Sequence, residues 1–107
     1  MKIIVKTQFE DFHRWKDAPK EVAFLRNLHR HIFFVEISCE VTHDDRELEF
    51  FMVKKILDAF IREKVKKMDD KKSCEQMAQI IKSFLWERYQ RYFSVKILED
   101  NENGAIV

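Results

Sequence analysis

Apolar residues alternate with polar ones at the start of the chain, where Ile3, Val5, Thr7 and Phe9 occupy every second position between Met1 and Phe12. That is the period of a half-buried strand, and His13 ends it. A second strand is expected over Leu28–Thr42, rich in Ile, Phe and Val, and pairs antiparallel with the first. Between them, Arg14–Asn27 holds the only proline, Pro19, and mixes charges with Val22, Phe24 and Leu25. It reads as a loop with at most a helical turn, and its length is of the kind that functional loops have.

From Asp45 the period lengthens. Leu48, Met52, Ile56 and Phe60 recur every four residues, joined by Val53, Leu57 and Ile61, which predicts a helix to about Lys67 with Asp44 or Asp45 as its cap. The opposite face, with Lys54, Lys55, Arg62, Lys64, Lys66 and Lys67, is expected to be solvated. Met68–Lys72 reads as a charged connector. Ser73 stands three residues before Gln76, a capping-box spacing, and opens a helix that turns Met77, Ile80, Ile81, Phe84 and Leu85 inward and ends near Tyr89. Alternation returns at Phe93–Glu99, and Asn101–Gly104 is expected to turn the chain into a last strand, Ala105–Val107.

The expected fold is therefore α+β: one domain over residues 1–107, in the order ββααββ, with a four-stranded antiparallel sheet covered on one face by two helices. Its other face and both edges need a partner, so a homo-oligomer is expected in which sheets join edge to edge and close as a barrel.

Composition narrows the function classes. Lys and Arg number 20 against 19 Asp and Glu, so the strong basic excess of a dedicated nucleic-acid binder is missing. No segment approaches the roughly 18–20 apolar residues of a membrane helix, and the N-terminus lacks the pattern of a signal peptide; a cytoplasmic protein without membrane partners is expected. Cys39 and Cys74 are far apart and are expected to be free thiols. A single glycine leaves no Gly-rich phosphate loop.

The candidate chemistry lies in Leu28–Ile37, reading LHRHIFFVEI. His29 and His31, two apart in a strand, point to the same face of the sheet. With His13 from the neighbouring strand they would make a three-histidine zinc site with an open fourth position. The plainer alternative is three half-buried, hydrogen-bonded histidines with no ligand role.

Five segments in order, FEDFHRW at Phe9–Trp15, LHRHIFFVEI, ELEFFMVKK, SCEQMA and VKILED, together resemble the 6-pyruvoyl-tetrahydropterin synthase and 6-carboxytetrahydropterin synthase family of the tunnelling fold (T-fold). The resemblance covers nearly the whole chain. It implies zinc on His13, His29 and His31, a pterin-anchoring role for Glu99, a polar pair near the ligand at Ser73 and Cys74, and a trimeric or hexameric assembly. A carboxylate suits that anchoring role because it accepts two parallel N–H bonds from a pterin or guanine-like edge.

The departures from the family's pattern fall on its bases. The family's proton-transferring cysteine, four residues before the first histidine of the L-H-G-H motif, corresponds to Leu25; its Asp-His pair is missing from Met68–Asp70, and His43 is out of order. The glycine between the ligand histidines is Arg30, whose side chain is expected to face away from the metal. Loss of a general base costs on the order of 10²–10⁴-fold. The resemblance thus implies a zinc-binding protein that recognises a pterin- or purine-like small molecule at a subunit interface, without the standard synthase reaction and with no catalytic residue assigned. The alternative is a divergent zinc-dependent synthase, a carbon–oxygen lyase, with a replacement base from Asp69, Asp70, Glu21 or a neighbouring subunit. A third reading is an interaction module with a vestigial metal site.

Overall fold

A computed structural model describes all residues, 1–107. Strand β1 (Lys2–His13) leads through a 3₁₀ segment (Lys20–Arg26) to β2 (His29–Glu40). Helix α1 (Phe50–Phe60) continues into a π turn (Ile61–Val65); helix α2 (Cys74–Tyr89), β3 (Ser94–Glu99) and β4 (Asn103–Ile106) follow. The sheet is antiparallel in the order β1-β2-β3-β4. The fold is α+β, and no helix is long and apolar enough to cross a membrane.

Alternation decides which side of each strand is covered. On β1, Ile3, Val5, Thr7, Phe9, Asp11 and His13 turn inward; on β2, His29, His31, Phe33, Val35, Ile37 and Cys39 do so. Val95 and Ile97 of β3 complete the sheet's share of a core that also contains Val53, Leu57, Ile61 and Val65 from the first helical run and Met77, Ala78, Ile81 and Leu85 from α2. Thr7 Oγ1 adds a polar tie to α1, donating to Asp58 Oδ1 at 2.5 Å. The other face of the sheet is mixed, with exposed Ile4, Phe12 and Ile106 beside the pairs Lys6–Glu36, Lys96–Glu36 and Arg30–Glu10. Arg30 does face away from the histidines.

Helix α1 differs from its expectation at both ends. Arg46 has φ 54°, in the left-handed region, so no helix runs through it from Asp45. Glu47 is tied back to Thr42, accepting from its N–H at 2.9 Å and its hydroxyl at 2.5 Å. The cap is Glu49, whose carboxylate accepts from the N–H groups of Phe51 and Met52. Farther on, Lys66 N–H donates to Ile61 O, five residues back, and this extra residue in the turn keeps Val65 on the buried row. The buried stripe is Val53, Leu57, Ile61 and Val65, while Met52 is exposed.

Helix α2 carries the expected capping box, Ser73 Oγ accepting from Gln76 N–H and Gln76 Oε1 from Ser73 N–H. Its buried residues include Cys74 and Ala78 besides Met77, Ile81 and Leu85; Ile80 and Phe84 pack at the margin. The final hairpin turns earlier than the N-E-N-G reading. Asp100 and Asn101 are both left-handed (φ 52° and 61°), Glu102 N–H donates to Glu99 O, and Gly104 lies inside β4 opposite Leu98. A Cβ at Gly104 would fall 1.8 Å from Ile97 O, so this close approach needs glycine.

Candidate metal centre

The pairing of β1 with β2 sets His13 directly opposite His29, and Asp11 opposite His31. Since residues two apart share a face, all three imidazoles project from the helix-covered side at one end of the sheet. Their ring centroids lie 4.7, 5.0 and 5.2 Å apart. One nitrogen from each falls within 4.8 Å of the others, so the cluster could hold a metal ion.

Each Nδ1 is held by an acceptor from a different part of the chain. His13 Nδ1 lies 2.9 Å from Lys72 O, His29 Nδ1 2.8 Å from Asn27 O, and His31 Nδ1 2.7 Å from Asp100 Oδ2. Carbonyls and carboxylates only accept, so each Nδ1 carries the proton and each neutral ring keeps its lone pair on Nε2. This outer support orients a metal-ligating histidine and raises its basicity. Asp100 is itself fixed: its Oδ1 accepts from Ile32 N–H at 3.0 Å, and its own N–H donates to Ile32 O at 2.7 Å.

Lys72, read from sequence as part of a charged connector, is buried. Its Nζ donates to Asp11 Oδ2 at 2.6 Å and to Val65 O at 3.3 Å. Asp11 stands two residues before His13 on the same inward row, so this buried ion pair fixes the very residue whose carbonyl orients His13. Arg14 N–H donates to Asp70 O at 2.8 Å, which binds the end of β1 to the same connector.

Glu99 ends β3 beside the triad. Its Oε1 lies 3.1 Å from His13 Nε2 and its Oε2 3.4 Å from His31 Nε2. The first contact is off the line of a hydrogen bond, leaving His13 Nε2 buried with no partner. The His13 imidazole, with His31 and His29 behind it, outweighs burial and holds the Glu99 carboxyl below the usual carboxylate range. Burial pulls the His13 imidazole down, but Glu99 and the Lys72 carbonyl outweigh it and its pKa is raised.

His13 and His29 border a cavity of about 420 Å³, within the usual range of small-molecule sites. His13, His29, Glu99, Ser73 and Cys74 all line it, as do Trp15 and Leu25. Cys74 Sγ lies 3.8 Å from Glu99 Oε1, and burial, then the charges of Glu99 and Glu75, push its thiol up to about 12. Cys74 is a neutral thiol rather than an activated nucleophile. Cys39 is also free and buried, in the core.

Asp69 and Asp70 are engaged elsewhere: Asp69 Oδ1 accepts from Lys71 N–H at 2.8 Å, and Asp70 Oδ1 lies 3.4 Å from Arg14 Nε. Neither they nor Glu21 line the cavity. His43 is exposed and lies 3.6 Å from Glu47.

Asp100, Lys72 and Asn27 are the site residues that the sequence reading did not single out. For Asp11 a signal existed, since the period of two puts it on the row of His13. No family model matches the chain and no curated protein matches it, so what this site does is read from its own residues.

Proposed function

We propose that this chain is a zinc-binding protein of the tunnelling-fold type, similar to the 6-pyruvoyl-tetrahydropterin and 6-carboxytetrahydropterin synthases, which recognises a pterin- or purine-like small molecule without performing their standard reaction. The observation that carries this reading is the convergence of three imidazoles, each with Nδ1 held by an acceptor, beside a cavity lined by two of them, His13 and His29, together with Glu99. The donor set suits zinc. Neutral imidazole is a zinc ligand, and the buried, partnerless Nε2 of His13 is the kind of atom a cation satisfies. Zinc, when bound, supplies Lewis acidity toward an oxygen of the small molecule.

The chain's own residues do the recognising. Glu99, kept ionised, accepts from the N–H edge of the heterocycle, and the exposed indole of Trp15 borders the same cavity. What the chain lacks is a base at the positions where the family has one. At the position corresponding to the family's cysteine, Leu25 lines the wall with an alkyl group, Cys74 is neutral, and Asp69 and Asp70 are turned to other partners.

The subunit-interface part of the proposal draws on the two sheet edges, β1 and β4, and on the exposed apolar residues Ile4, Phe12 and Ile106 of the uncovered face. These are surfaces that a second copy can cover.

The test is equilibrium binding of pterin and guanine to the zinc-loaded protein, together with incubation with dihydroneopterin triphosphate. Binding that is lost in Glu99→Ala, with the triphosphate left intact, is the expected result. Sustained turnover would instead establish the divergent lyase, and no binding of either heterocycle would defeat the proposal.

A further inference from the structure

Glu99 stands nearer the imidazoles than the anchoring of a separate heterocycle requires. Its two oxygens approach two different rings, 3.1 Å from His13 Nε2 and 3.4 Å from His31 Nε2. Because the Nδ1 atoms of both rings face pure acceptors, the Nε2 atoms present lone pairs, and so does the carboxylate. His13 Nε2, on a side chain only 9% exposed, has no hydrogen-bond partner.

Metal coordination accounts for these separations. With zinc–nitrogen bonds of about 2.0–2.1 Å and zinc–oxygen bonds of about 2.0–2.2 Å, ligand atoms around a tetrahedral ion stand about 3.3–3.5 Å from one another. The 3.4 Å contact of Glu99 Oε2 with His31 falls within that range, and the 3.1 Å contact of Oε1 with His13 just below it. The end of β3 also holds the residue in place, because Glu99 pairs with Phe33 on one side and with Asn103 on the other.

We infer that Glu99 is itself a ligand of the metal, so that the resting site is a closed set of three imidazoles and one carboxylate rather than a triad with an open position. This rests on the proposed function only in taking the triad as a metal site. It adds a consequence: Glu99 cannot bind the metal and the N–H edge of a heterocycle with the same oxygens, so heterocycle binding draws the carboxylate away and opens the fourth position. The cavity is then gated by its own anchoring residue.

The experiment is a zinc affinity measurement by chelator competition, without heterocycle, on the wild-type protein, Glu99→Gln and Asp100→Asn. Loss of an outer partner, as in Asp100→Asn, costs about 10–100-fold in metal affinity, and loss of a direct ligand in Glu99→Gln is expected to cost about 100-fold or more. Cobalt-loaded wild-type protein supplies a readout independent of any variant's folding: its visible spectrum is expected to be unmoved by azide at concentrations that shift the spectrum of an open three-histidine site. Equal zinc affinity in wild type and Glu99→Gln, or an azide-induced shift in the wild type, overturns the inference and leaves the triad reading standing. Failure of the wild-type protein to bind zinc overturns both.

Discussion

The inward row of β2 has two ends with opposite chemistry. From Phe33 to Cys39 every inward residue is buried among the helices, whereas His29 and His31, continuing the same alternation, are partly exposed at the cavity end. What changes between the two ends is what lies above the strand. Over the core end stand the apolar rows of α1 and α2; around the histidine end come the connector carbonyl of Lys72, the Asn27 carbonyl and the Asp100 carboxylate. Stability is thus concentrated at one end and ligating geometry at the other, on one continuous strand.

Three changes sharpen that division. Asp11→Ala acts at the joint between the two ends, stranding the Lys72 ammonium where it is 2% exposed, and it is expected to cost about 3–5 kcal/mol in denaturant unfolding. It should also weaken metal binding, because the Lys72 carbonyl orients His13. Ile37→Ala, wholly within the core end, is expected to cost about 2–5 kcal/mol while leaving zinc affinity of the folded protein unchanged. Equal loss of metal affinity in both variants would erase the division.

Zinc addition works from the other end. At free zinc about 100 times its Kd, the wild-type protein should gain about 2.7 kcal/mol, and His31→Ala should gain almost none. Thermal unfolding with and without zinc, under matched protein concentration, reads this difference.

The smallest effect comes from a site belonging to neither end. Glu47 accepts from the Thr42 hydroxyl and N–H and pairs with Arg91, and these contacts lower its pKa from 4.5 to about 2, the Thr42 hydroxyl foremost. A carboxyl lowered on folding stabilises the protein above its unfolded value and loses that contribution as pH falls from about 4.5 toward 2. Thr42→Val should therefore flatten the acid limb of the stability profile without altering zinc binding at neutral pH.

Much of this arrangement was legible in the residue order. Alternation identified the inward rows, and it placed His13, His29 and His31 on one face because the period of two holds whatever the side chain. The capping box of α2 was legible because both partners signal through side chains. The start of α1 was not: its cap is a glutamate, outside the usual Ser, Thr, Asp and Asn, and a left-handed Arg46 precedes it. The buried stripe is the Val53, Leu57 and Ile61 row rather than the Met52, Ile56 and Phe60 row, a choice between adjacent apolar rows that periodicity alone does not make, and a π turn carries it on to Val65. Two of the three acceptors behind the histidines are main-chain carbonyls, which leave no trace in residue type. The third, Asp100, reaches His31 only because the turn after β3 is left-handed at Asp100 and Asn101.

The most direct test of the central claim is the metal content of the protein after exposure to zinc and desalting, compared with His31→Ala treated identically. One tightly held zinc per chain in the wild type and none in the variant is the expected result. A wild-type protein that retains no stoichiometric zinc, or a variant that retains as much, would contradict the account.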